Sequence, residues 1–128
     1  MLGHWMPVES NNVLDKAFDF AVRVVRLYQY LVKEHKEFVL SNQLLRCGTS
    51  VGANINEAQA GQSKADFIAK MSIASKESRE AKYWFDLLCI TCYLDNTQPH
   101  VASLLNQSEE LIKILTSIVK TAQRNTKN

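Results

Sequence analysis

No apolar run in the chain approaches the eighteen or more residues needed to cross a bilayer. The opening Met1-Leu2-Gly3-His4-Trp5-Met6-Pro7 has neither the basic nor the long apolar segment of a secretory signal. A cytoplasmic protein without a membrane partner is the expectation. An excess of either charge is also missing: 15 basic against 13 acidic side chains give +2, too little to argue nucleic-acid binding from net charge. There is no internal repeat, no sign of a second domain and no credible strand; Phe38-Val39-Leu40 is the nearest to one and too short to recruit a sheet. Catalytic signatures are absent too. Gly48 and Gly52 lie inside a helical pattern and lack the lysine and hydroxyl that follow a phosphate-binding loop. None of His4, His35 and His100 stands three residues after a glutamate, as paired ligands of a di-metal bundle do. No activated nucleophile emerges around Ser50, Ser75 or Ser78. The reading is of a non-enzyme with no cofactor, no metal and no identified small-molecule substrate; a metal-binding bundle is the weakest alternative.

What is present is helical periodicity. A chain of 128 residues, 46% hydrophobic and 22% charged, fits one domain that can bury a core unaided. Residues 1–11 show no period and read as a flexible arm on which Trp5 can pack. With Asn11 or Asn12 as cap, Leu14, Phe18, Ala21, Val25, Tyr28 and Leu31 or Val32 mark the apolar stripe of a first helix, widened by Phe20, Val24 and Leu27. Residues 35–39 turn the chain back. A second helix runs from Leu40 to Ala58 or Ala60, stopped by Gly61. Ser63 caps a third, reinforced by Asp66, from Lys64 to Tyr93 or Leu94. Its inward face is Phe67, Met71, Ala74, Ser78 or Ala81, Trp84, Leu88 and Cys92, and Lys76–Glu80 and Lys82–Asp86 can pair on its surface. Residues 95–99 turn, and Pro99 opens a last helix with Val101, Leu104 or Leu105, Leu111 or Ile112, Leu115, Ile118 and Val119 inside; Ser108 could restart it. The expected fold is all-α, an antiparallel up-down-up-down four-helix bundle over residues 12–123, with a frayed tail at 124–128.

The second helix is unusual. Leu40, Leu44, Cys47, Val51, Ile55 and Ala58 form a core stripe. Beside it Gln43, Arg46, Ser50, Asn54 and Glu57 form a polar stripe in which only Arg46 and Glu57 are charged. So sparsely charged a stripe points to partial cover by another helix or another subunit. Gly48 and Gly52 each cost about 1 kcal/mol of helix stability relative to alanine, which a close backbone approach would explain. Glu57 or Glu80 is expected to accept hydrogen bonds from Arg46, Asn54 or a neighbouring subunit.

Two further patterns keep alternatives open. Cys89-Ile90-Thr91-Cys92 has CxxC spacing, but it falls at a helix end whose backbone field does not favour a thiolate, so buried reduced thiols are the plainer reading. Arg23, Arg26, Lys33 and Lys36, near Tyr28 and Tyr30, and Lys113, Lys120, Arg124 and Lys127 beyond the last acidic residue, are either solvated faces or contacts for RNA, DNA or protein.

The spaced residues Leu40, Gln43, Leu44, Arg46, Cys47, Ser50, Val51, Ala53, Asn54, Ile55, Glu57 and Ala58, followed by Phe67 and by Ala74, Ser75, Ser78, Glu80 and Trp84, resemble the bacterial four-helix bundle proteins encoded by intervening sequences of large-subunit ribosomal RNA genes. The resemblance spans about residues 14–122 and is most specific over 40–58. It implies a bundle that assembles as a ring, typically a homopentamer, of unestablished biochemical function. The chain is similar also to accessory proteins of diversity-generating retroelements, which implies a reverse transcriptase or nucleic-acid partner bound through a basic surface. Gln43, Arg46, Ser50, Asn54, Glu57 and Glu80 would then be structural and subunit-contact groups. Gly52 stands where relatives often have proline, and +2 is a weak charge for the nucleic-acid mode.

Overall fold

The computed structural model describes residues 10–126; of the arm expected over residues 1–11, residues 1–9 lie outside the described residues, as does Lys127, and Ser10 and Asn11 belong to the first helix. Four helices follow one another: α1 (Ser10–His35), α2 (Val39–Gln59), α3 (Lys64–Ile90) and α4 (Pro99–Thr126). Each packs on its neighbours in sequence and α4 returns to α1, so α1 and α3 stand at opposite corners of an antiparallel up-down-up-down bundle. The α2–α3 seam is the most extensive and the α1–α4 seam the loosest. Across the core diagonal, the Phe20 and Phe85 rings meet at 6.1 Å.

The first helix corrects the sequence reading. Its buried residues are Val13, Ala17, Phe20, Val24 and Leu31, whereas Phe18 is 68% and Val25 36% exposed. The chain carries two apolar stripes offset by one residue, and periodicity alone cannot rank them. The small residues of α2 decide. An added Cβ on Gly48 would stand 3.0 Å from Val24 Cγ1, and one on Gly52 would stand 3.6 Å from the Ala17 backbone. The α1 face bearing Ala17 and Val24 therefore docks on α2, and the Phe18 stripe turns outward.

The α1–α2 turn holds a cap that sequence reasoning missed. Glu37 is buried, and its carboxylate accepts from the backbone N–H groups of Val39, Leu40 and Ser41 at 3.1, 2.9 and 2.7 Å, while the Ser41 hydroxyl donates to the Glu37 carbonyl at 2.7 Å. One carboxylate thus satisfies three donors that a helix start leaves unpaired. Burial pushes this carboxyl up, but the N–H groups of Leu40, Ser41 and Val39, with the Ser41 side chain, outweigh it and hold the group below the ordinary carboxylate value.

The other ends mix confirmation and correction. Ser63 caps α3 by accepting from Asp66 N–H at 3.1 Å. Gly61 is not a left-handed stop: no glycine among the described residues has positive φ, and α2 closes with Ala60 and Gly61 N–H groups on the carbonyls of Glu57 and Ala58. The third helix ends at Ile90, before the expected Tyr93. There Cys92 takes φ 70°, its N–H reaching the Cys89 carbonyl and that of Tyr93 the Leu88 carbonyl, the paired bonds of a Schellman ending with cysteine in the usual glycine position. Cys92 is consequently exposed and not inward. Phe85 fills the core in place of Trp84; the half-buried indole finds an acceptor in Glu80. Lys82–Asp86 pairs as expected, whereas Glu80 is engaged by Arg46 rather than Lys76. The last helix is continuous: Ser108 is a buried residue within it and restarts nothing.

Candidate functional site

Most of the sequence-predicted residues fall on a polar stripe, a groove and a cleft. The polar stripe of α2 faces the outer edge of the α2–α3 seam. Arg46 donates to Gln43 Oε1 at 2.9 Å and to Glu80 Oε2 at 3.2 Å; the same Glu80 oxygen accepts from Trp84 Nε1 at 3.0 Å. Further along, Asn54 donates to the Ser50 carbonyl at 2.9 Å, and Lys70 pairs with Glu57 at 2.9 Å. Gln43, Ser50 and Asn54 are half-buried, but Arg46 keeps 58% of its side chain exposed. Within one chain the stripe is therefore knitted together yet open to an outside partner. Such pairs contribute only about 0.2–1 kcal/mol each while exposed.

Beside it runs an apolar strip of α3: Tyr83, half-buried Leu87 and Ile90, which is 79% exposed. On α1, exposed Phe18 and Val25 with half-buried Leu14 and Ala21 form a second, partly exposed apolar stripe, on the helix diagonal to α3.

The basic residues fall into different places. Lys113, Lys120 and Arg124 line a groove of about 540 Å³ with Arg79 of α3, whose guanidinium donates to Thr116 Oγ1 at 2.7 Å. Among the described residues no carboxylate lines it. Arg79 was missed by the sequence reading; its place opposite Thr116 depends on the pairing of α3 with α4, which no local signal contains. Arg23 and Arg26 line a separate cleft at one end of the α1–α4 seam. Lys33 is exposed, and Lys36 lies past the helix in left-handed conformation, its Nζ on the Lys33 carbonyl, so the four cations of α1 do not form one patch. The seam itself is polar: Lys16 pairs with Glu110 at 3.1 Å, and Gln107 donates to Asp19 while accepting from Arg23.

The thiols are separate. Cys47 is buried and pushed up to about 12 by desolvation, then by Glu80 and Glu77; Cys89 is raised by burial and then by Asp86. Neither is poised as a thiolate. Among the described residues no group of three or more His, Cys, Asp or Glu side chains is placed to hold a metal ion, and no helix is long and apolar enough to cross a membrane.

A family profile described as 23S rRNA-intervening sequence protein matches residues 9–117. The chain belongs to that family. A solved structure of a protein of unknown function from the S23 ribosomal protein family of Bacteroides thetaiotaomicron VPI-5482 is similar at 52% identity. The match covers 88% of this chain and 98% of that one, with a TM-score of 0.82. No curated protein matches. Among 23S rRNA-intervening sequence proteins, then, this chain is a four-helix bundle with no obvious catalytic or metal-binding feature among its described residues.

Proposed function

We propose that the protein is a non-enzymatic, self-associating interaction module that forms a closed ring, a pentamer by the family resemblance. The observation that carries this reading is the outward α1 stripe, where Phe18 is 68% exposed beside Val25, Ala21 and Leu14. A closed ring is built from a heterologous contact and so needs two unlike faces on each subunit. The α1 stripe and the Tyr83–Leu87–Ile90 strip supply them, and the Arg46–Glu80–Trp84 cluster beside the latter would fix the register. Covering one large apolar side chain is worth about 1.5–3 kcal/mol. Phe18→Asp is therefore expected to shift the protein to monomers in sedimentation velocity while its helical circular dichroism stays unchanged, since Phe18 supports no core. An assembly of unchanged mass would sink the reading.

A second reading is favoured by the Arg79 groove. Lys113, Lys120 and Arg124 follow one face of α4 and span about 16 Å at 1.5 Å per residue, long enough to follow several phosphates. An RNA or DNA strand is the partner this fits, and the resemblance to retroelement accessory proteins adds a reverse transcriptase as a possible companion. Gel shifts with structured ribosomal RNA and single-stranded DNA are expected to show binding that weakens steeply with salt and is lost when Lys113, Lys120 and Arg124 are replaced by alanine. Absence of binding at low salt would remove this reading and leave the first intact.

A further inference from the structure

The cleft at the end of the α1–α4 seam has a volume of about 660 Å³ and is separate from both apolar stripes and from the Arg79 groove. Its floor is apolar, with Leu27, Leu94, Val101 and Leu104. Its walls are cationic and aromatic. Arg23 is held in place by Gln107 Oε1 at 2.9 Å and the His100 carbonyl at 3.1 Å. Arg26, exposed at the rim, has no hydrogen-bond or ion-pair partner among the described residues. The carboxylate that lines the cleft, Asp95, accepts from the Thr97 N–H and hydroxyl on its Oδ1 at 2.9 and 2.6 Å.

Three rings are fixed against one another. His35 stands edge-on to Tyr30 at 5.3 Å and to Tyr93 at 5.9 Å, and its Nε2 lies 3.1 Å from the Tyr30 hydroxyl. Tyr30 is thereby oriented while 47% exposed, an aromatic surface held in position and left uncovered. On α1 the order is Arg23, Arg26, Tyr30, so the backbone positions of Arg26 and Tyr30 lie about one helical turn apart, about 6 Å along the axis.

We propose that this cleft binds a nucleoside monophosphate, its base on the Tyr30 ring and its phosphate on Arg26 with Arg23 alongside. The shared chemistry is a flat ring carrying an anion, and the spacing selects the source. A sugar separates base from phosphate by about the turn that separates Tyr30 from Arg26, whereas an aromatic acid carries its anion directly on the ring. The volume lies within the roughly 300–1,000 Å³ of small-molecule sites.

Isothermal titration of the full chain with adenosine monophosphate, adenosine, inorganic phosphate and 4-hydroxybenzoate tests it. The nucleotide is expected to bind saturably with Kd below about 1 mM, with the other three weaker by about tenfold or more. Arg26→Ala and Tyr30→Leu, both at exposed positions, are each expected to weaken it about tenfold, in line with the loss of a charge-assisted bond or a stacking surface. Lys120→Ala, in the separate groove, is expected to leave it unchanged. Absence of saturable nucleotide binding, insensitivity to both cleft substitutions, equal loss in Lys120→Ala, or tighter binding of 4-hydroxybenzoate would each overturn the assignment.

Discussion

Gly48→Leu is expected to destabilise the bundle by about 3 kcal/mol or more, because it forces side-chain volume into a close-packed seam. The first added carbon would already stand 3.0 and 3.1 Å from the two Val24 methyl carbons, Val24 is fully buried, and a leucine would add three further carbons to the same seam. Gly52 four residues on provides the internal contrast. Its added Cβ would meet Ala17 at 3.6–3.7 Å, ordinary contact distance, so Gly52→Ala is expected to be neutral or to stabilise by up to about 1 kcal/mol through helix propensity. Urea denaturation at one fixed protein concentration measures both. Equal effects at the two sites would contradict the geometry in which Gly48 is the point of closest approach.

Glu37→Ala is expected to cost about 2–3 kcal/mol, more than an ordinary cap, because three backbone N–H groups lose one shared, buried acceptor. The effect carries a pH signature. Folding lowers the Glu37 pKa from its ordinary 4.5, so the folded state binds this proton more weakly than the unfolded chain. Its contribution is complete above about 4.5 and is lost as the pH falls through the depressed folded value. The gap in stability between wild type and Glu37→Ala is thus expected to be constant near neutrality and to narrow in acid. A gap that persists undiminished well below the folded value would show that the carboxylate charge is not what caps α2.

The sequence made the bundle legible wherever a single strong pattern was present. In α2, Leu44, Cys47, Val51, Ile55 and Ala58 are all buried as their spacing requires, and Ser63 caps α3 where a serine followed by Asp66 would place it. It was ambiguous where two patterns competed. Val13, Ala17, Phe20 and Val24 against Leu14, Phe18, Ala21 and Val25 is a choice between equal periodicities, settled by the glycines of another helix. Trp84 and Phe85 are neighbours of similar size, and the indole N–H, which needs an acceptor, tips the choice toward Phe85 inside. Features made by chain pairing were not legible locally. The Arg79–Thr116 contact and the meeting of Tyr30, His35 and Tyr93 join residues far apart or across turns, and Glu37 was hidden because a glutamate just before a helix is an uncommon cap. Of the polar stripe, spacing placed the five α2 residues on one face and offered Glu80 as an acceptor for Arg46, as the structure has it; the Trp84 indole sharing that carboxylate was not anticipated.

The central claim is that the outward stripes of α1 and α3 are covered by other copies of the chain. Multi-angle light scattering of the purified protein at micromolar concentration tests it most directly. A homogeneous mass corresponding to a pentamer, far above the 14.5 kDa of one chain, is the predicted result; a stable monomer would contradict the account.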